Sequence, residues 1–302
     1  MEFIKSFYIP YHFNKITDLI NQKIVLKSLR LDGSKKQIIW ATYINGFTFN
    51  IFKRAHYKIL DFATRRQVSQ DLSTEVKRIE IEAVKIADIV FVDNYNTYLD
   101  YYPYNKNTFY VPQGVNIDDF DSNEIAPELR HLKTEYKTIV GYCGNLHKYV
   151  DYNLLHKIIP LMSDHVFVFV GNIMDNRANA LSEFDNVIFT GFKRHSELHK
   201  YYRLFDVGLI PYTVEPFTTG VYPTKFLEYV ANHVPVVSSR LPDLEQYDLA
   251  FLQIYTDESS FQTNITKLSC IDANDEMDFF VLQNTWEQRF LFMTDKIEEL
   301  IK

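Results

Sequence analysis

The chain has 302 residues, 46% hydrophobic and 24% charged, enough for two ordinary globular domains and too apolar for a disordered chain. A formal charge of −7 supplies no net basic field, which argues against a nucleic-acid partner. The two cysteines, Cys143 and Cys270, lack metal-ligand spacing and fit a reduced, cytoplasmic setting, and no apolar run approaches membrane-spanning length.

Residues 1–13 are aromatic and irregular, and 14–29 read as a helix. Strands are expected at 37–41 and 58–60, then a helix over 71–87, where Leu72, Val76, Ile79, Ala83 and Ile86 share one face and Asp71 is the expected N-cap. Short strands at 89–92 and 109–111 follow, the second leading into a turn at 112–116. Residues 118–135 are acidic, contain Pro127 and show no long period, so they read as a linker. The second half alternates strands (139–142, 166–170, 187–190, 207–210, 235–238, 251–254) with helices (151–161, 196–205, 223–232). That alternation predicts a doubly wound parallel sheet. A last helix over 285–301, with Asn284 and Glu287 as its expected capping box, carries a seam of Trp286, Phe290, Met293, Ile297 and Leu300. It follows the finished sheet, so its seam must find another surface.

The residue out of place is Lys225. Pro223 suits a first helical position, where its missing N–H costs nothing. A cation just after it opposes the helix macrodipole by about 0.3–1 kcal/mol. An anion held at that helix end would reverse the sign. Glu228 lies one turn further on the same face, and a solvated surface pair is the alternative. The position beyond a strand of an α/β sheet, where such sheets bind ligands, favours the anion. Gly144 and Asn145, after the 139–142 strand, could let backbone amides approach a phosphate or could simply form a tight turn. Gly171 and Tyr212 end two further strands, and the connection from 211 to 222 is long for a βα loop.

Pro223, Lys225, Glu228, Tyr229, Ala231, Pro235, Val236 and Val237 together resemble the P-x-K-x-x-E-Y-x-A-x-x-x-P-V-V block of GT-B-fold glycosyltransferases. The likeness is to bacterial polysaccharide enzymes of the teichuronic-acid and xanthan glucuronosyltransferase type. Residues 87–92 and 111–116 resemble the acceptor domain of that family. The resemblance implies an α/β chain with two Rossmann-type domains facing a cleft. They would be a shortened acceptor-side domain (1–120), a linker (121–135), a nucleotide-sugar domain (136–283) and a C-terminal helix returning to the first domain (284–302). The family's opening βαβα stretch has no counterpart here, so the first domain is expected to be incomplete.

The resemblance further implies a metal-independent transferase without a cofactor. It would move sugar from a nucleotide donor, UDP-linked, to a glycan or lipid-linked acceptor in cell-surface polysaccharide synthesis, in the cytoplasm or peripherally at the inner membrane face. Lys225 would hold the donor diphosphate and assist its departure, and Glu228 would contact the ribose. Gly144, Asn145, Gly171, Tyr212, Pro223 and Thr224 would surround the donor. Gly220 stands where retaining members carry a glutamate, and Tyr222 where the related branch has asparagine. Leu60-Asp61-Phe62-Ala63-Thr64 keeps one carboxylate of a Y-D-x-x-D pattern, so Asp61 is the candidate general base, although it could equally cap a turn. A UDP-sugar 2-epimerase and an inactive nucleotide-binding homologue, or subunit of a larger complex, remain the alternatives. The nine histidines show no H-E-x-x-H, and no P-loop or G-x-S-x-G elbow is present. Asp119-Phe120-Asp121 reads as a solvated acidic turn.

Overall fold

Among the described residues two all-parallel sheets organise the chain, built from short β-branched and aromatic runs that suit strands covered on both faces. The computed structural model describes residues 36–70, 72–120 and 124–302. The helix expected over 14–29 and the cap expected at Asp71 lie outside the described residues. The chain divides into two units: the described residues up to Pro112 together with Phe292–Lys302, and Gln113–Leu291.

The first unit runs β1 (Ile38–Ala41), α1 (Gly46–Phe52), β2 (Tyr57–Phe62), α2 (Thr74–Ile86), β3 (Ile89–Val92), α3 (Tyr95–Tyr101) and β4 (Thr108–Tyr110). The strands lie in the order β1-β2-β3-β4. Helix α2 is capped by Ser73, whose side chain accepts the Val76 amide. Helices α1 and α3 are absent from the sequence reading because seven residues give fewer than two apolar repeats. Their signal was the cap: Asn45 and Asn94 accept the amides of Thr48 and Thr97. One face of the sheet packs Leu60 and Val90 against Phe52, Ala83 and Val84. On the other face Ile59, Ile89 and Phe91 meet Met293 of the last helix, with Ile297 and Leu300 alongside.

The second unit contains α4 (Leu132–Glu135), β5 (Thr138–Cys143), α5 (Tyr152–Ile158), β6 (His165–Val170), β7 (Val187–Gly191), α6 (Leu198–Tyr202), β8 (Val207–Ile210), α7 (Lys225–Val230), β9 (Val236–Ser238), β10 (Leu252–Ile254), α8 (Glu258–Leu268), α9 (Asn274–Gln283) and the start of α10 (Trp286–Ile301). Strand order is β10-β9-β8-β5-β6-β7. The chain therefore builds outward from β5 to β7, crosses back to β8 and builds outward again. The acidic stretch read as a linker is packed at its end: Ala126, Leu129 and Leu132 are buried with Tyr201 and Tyr202, and the Ala126 amide donates to the Lys200 carbonyl at 3.0 Å.

The start of α10 corrects the expected Asn284/Glu287 box. The Thr285 hydroxyl accepts the Gln288 amide at 3.2 Å. Asn284 is buried and committed elsewhere, donating to the Phe280 carbonyl and accepting from Arg289. The seam of α10 also divides. Met293 is buried in the first unit, whereas Trp286 and Phe290 in the second remain 39% and 58% exposed.

Candidate functional site

Strands β5 and β8 share only two register pairs, Val140↔Val207 and Gly141↔Gly208, before they part. Helix α7 supplies what the ladder loses there. The Tyr229 hydroxyl accepts the Cys143 amide at 3.0 Å and lies 3.2 Å from the Leu209 carbonyl, to which it donates. Room for this comes from glycine on both strands. A Cβ on Gly208 would sit 2.8 Å from the Tyr229 ring, and one on Gly141 would sit 2.0 Å from the Phe205 ring. Gly141 thus serves packing. Tyr229→Phe should leave the buried Cys143 amide unsatisfied and cost about 1–3 kcal/mol. Denaturant unfolding checks this; an unchanged midpoint would show the hydroxyl to be dispensable.

Lys225 lies in the opening between the two strands. Its Nζ donates to the Tyr212 hydroxyl, just beyond β8, at 2.8 Å. Its stem crosses Gly144, just beyond β5, so closely that a Cβ there would stand 2.3 Å from Cε and 2.7 Å from Nζ. Gly144 has φ +140° and its amide donates to Val170 at 2.7 Å. Gly171, with φ +147°, packs against the Gly144 carbonyl, and its own amide donates to Gly191 at 3.0 Å. Asn145 joins the same pair of loops: its carbonyl accepts from Tyr142 and its side-chain oxygen from Asn172.

Burial pulls the Lys225 ammonium down, but its interaction with Tyr212 and the Glu228 carboxylate outweigh that, leaving the pKa raised. The group stays charged. His147 shares the neighbourhood, its ring 5.6 Å from that of Tyr212. Burial first, and the Lys225 charge second, push its pKa down, so the imidazole is neutral near pH 7. Its Nδ1 accepts the Tyr149 amide at 3.2 Å. Burial holds the nearby Cys143 thiol well above its ordinary value, which rules it out as a nucleophile.

The start of α7 is not the anion-binding helix end expected of it. The helix begins at Lys225 and has only six residues. The amides of Thr224, Phe226, Leu227 and Glu228 are spent on the carbonyls of Tyr222, Pro223 and Thr224. Pro223 is buried and heads this tight turn, and Thr224 is exposed beside it. Positive charge is therefore offered by the ammonium and not by a row of free helix amides.

Glu228, one turn along α7 from Lys225, makes no hydrogen bond with it, although its charge supports the ammonium. Its carboxylate accepts the Tyr202 hydroxyl and lies 3.8 Å from His195 Nε2. Together with Thr224, Gly114, Asn116 and Trp286 it lines a cavity of about 100 Å³. Tyr202 and His195 are missing from the sequence reading. They sit on and just before α6, and no local pattern links them to a carboxylate two elements away.

In the first unit, Asp61 lies within β2, not after it. It accepts the Trp40 indole N–H at 3.0 Å. Burial raises its pKa and the Trp40 hydrogen bond partly opposes this. Asp93 follows β3 and accepts from Asn94 at 3.1 Å. Among the described residues no group of three or more His, Cys, Asp or Glu gathers as a metal site, and no helix is long and apolar enough to cross a membrane.

Open parallel sheets place ligands where strand order reverses, and here a half-buried cation occupies that point. These features define an open, doubly wound parallel α/β domain of the ligand-binding kind. Residues 137–269 match the family model described as "Glycosyl transferases group 1". Among curated proteins the chain is similar to teichuronic acid biosynthesis glycosyltransferase TuaH of Bacillus subtilis (strain 168), 27% identical over 150 residues. That match spans 49% of this chain and 38% of the relative, so the chain matches well under half of that relative's length. Among solved structures it is similar to Anabaena Alr3699/HepE in complex with UDP, with a TM-score of 0.71, 12% identity, and coverage of 93% of this chain and 84% of the other. It is also similar to a sucrose-phosphate synthase from Thermosynechococcus elongatus, with a TM-score of 0.65, 16% identity, and coverage of 99% and 82%.

Proposed function

We propose that this chain is a glycosyltransferase that takes its sugar from a nucleoside diphosphate donor, UDP-linked, with Lys225 at the diphosphate. The observation that carries this reading is the charged Lys225 ammonium between Gly144 and Tyr212, where β5 and β8 part. A departing nucleoside diphosphate gains negative charge, and a preorganised cation beside it lowers the barrier with no metal required. Glu228, one turn along α7, suits the two hydroxyls of a ribose, with Tyr202 fixing its carboxylate. Gly144, Asn145, Gly171, Tyr212, Pro223 and Thr224 form the surroundings of the donor in this reading. The acceptor is a glycan or lipid-linked glycan of cell-surface polysaccharide synthesis, handled on the cytoplasmic face. The teichuronic-acid role in the name of the Bacillus relative supports that assignment.

A thermal-shift series with UDP, UDP-sugars and uridine tests the donor. A ligand at a hundred times its Kd adds about 2.7 kcal/mol to the native state. UDP and UDP-sugars should raise the Tm, and uridine should do so less; no shift with any nucleoside diphosphate would overturn the reading. Asp61 is the general base in this proposal, since burial makes its carboxylate more basic. Asp61→Asn should lower turnover at least ~10²-fold with donor binding intact. Unchanged turnover would return Asp61 to a structural role, held by Trp40.

A further inference from the structure

Tyr142 is the last residue but one of β5 and is fully buried, its ring 6.1 Å from that of Phe169. A buried tyrosine hydroxyl needs hydrogen-bond partners, and this one finds both in the loops around Lys225. It donates to the Asn145 carbonyl at 2.9 Å and is hydrogen-bonded to the Tyr212 hydroxyl, which in turn receives the Lys225 ammonium at 2.8 Å. We propose that Tyr142 is a positioning residue of the diphosphate site: through Tyr212 it fixes where Lys225 holds its charge. The inference rests on Lys225 being the diphosphate ligand.

The two ends of this chain set the direction of every proton in it. A carbonyl only accepts and an ammonium only donates, whereas a hydroxyl carries a single proton. Tyr142 spends its proton on Asn145, so the proton between the two tyrosines comes from Tyr212. Tyr212 is then left with lone pairs alone toward Lys225, which is what the ammonium requires. The order runs from Lys225 Nζ to the Tyr212 hydroxyl, then to the Tyr142 hydroxyl, then to the Asn145 carbonyl. Burial, and Tyr212 after it, raise the Tyr142 pKa, so its proton stays in place. The same two rings flank the charge: Nζ lies 5.6 Å from the centroid of each, a range at which aromatic faces attract a cation. Among the described residues Lys225 has no second hydrogen-bond acceptor, which leaves its remaining N–H groups for ligand oxygens. A lysine side chain is flexible and loses rotamer entropy when fixed. Held on one hydroxyl between two rings, it meets a diphosphate already placed. Phenylalanine at 142 would take away the acceptor of the Tyr212 proton and free that hydroxyl to turn.

Calorimetric titration of the full chain with UDP, and with uridine as the control lacking phosphate, tests the chain of hydrogen bonds. Tyr142→Phe keeps the ring and should weaken UDP about three- to tenfold, the range of one net hydrogen bond, while uridine binding is unchanged. A double-mutant cycle separates positioning from packing. In a Lys225→Ala background the same substitution should leave UDP binding as it is, because no charge remains to be placed. Tyr212→Phe cuts the next link at a half-buried position, and should weaken UDP at least as much even if the buried variant fails to fold. The inference is overturned if either phenylalanine variant binds UDP like the parent, if uridine weakens equally, or if the Tyr142→Phe loss persists in full beside Lys225→Ala. UDP binding weakened by Lys225→Ala and by neither tyrosine variant would leave the donor reading standing alone. A parent that ignores UDP would sink both.

Discussion

Lys225→Ala is expected to abolish most transfer activity while leaving the fold in place. Removing one preorganised donor to a developing negative charge costs about 10²–10³ in rate. The lysine is the charge placed where β5 and β8 diverge, and the helix end cannot replace it because its amides are already committed to Tyr222, Pro223 and Thr224. The thermal shift given by UDP should shrink with it, whereas that given by uridine should not. Turnover within threefold of the parent would remove Lys225 from the mechanism. A spectroscopic signature accompanies the loss. In the variant the His147 pKa should climb part of the way back toward that of an ordinary imidazole. The Lys225 charge is the smaller cause of its depression, and burial, the larger, persists. The linkage has a definite sign. The unfolded chain holds the His147 proton more tightly, so stability falls as pH drops from the ordinary imidazole pKa to the depressed folded value. That acid loss should be smaller in Lys225→Ala, as a histidine NMR titration and pH-dependent unfolding can show.

Gly171→Ala is expected to destabilise the second unit strongly. Its φ of +147° is a region L-residues rarely adopt, and a Cβ would fall 2.1 Å from the Gly144 carbonyl oxygen. Strain of that kind costs about 1–3 kcal/mol, and relieving the overlap requires the two loops to separate. For a unit of this size each kcal/mol lowers the Tm by roughly 2–4 °C, so a drop of about 2–12 °C is expected, with donor binding weakened as well. The contrast is Gly191→Ala: its φ is +70°, but nothing lies within 4 Å of the added Cβ. That variant should bind donor normally. Equal loss of UDP binding in both would show that backbone strain alone, without the Gly144 contact, governs the site.

Much of the sheet was legible because parallel strands covered on both faces read as unbroken apolar runs. Residues 89–92 and 207–210 come out with the bounds expected, and the others within two residues at each end. Helices did not fare by length: α5, α6 and α7, of seven, five and six residues, were read from their alternation with strands, whereas α8 and α9, of eleven and ten, were missed. The periodic α2 and α10 stood out, whereas α1 and α3 did not. Capping was misread at α10 because Asn284 and Thr285 are both good caps in sequence. Burial of Asn284 beside Phe280 and Arg289 decides between them. The site was legible in Lys225, whose charge opposes its helix, and in the glycines that follow strands. It was not legible in Tyr202 or His195, which reach Glu228 only through the packing of α6 against α7.

The sequence by itself determined the class of fold, the run of strands and the one lysine whose charge is unfavourable without an anion. These are local properties, carried by apolar pattern and by the sign of a charge along a helix. It took the packed chain to show that Lys225 bonds to Tyr212 while Glu228 bonds to Tyr202, that Tyr229 bridges the strands where their ladder ends, and that Gly141 makes room for a ring while Gly144 makes room for the lysine. Those outcomes depend on which strands lie side by side, and adjacency across the reversal between β5 and β8 joins residues more than sixty positions apart.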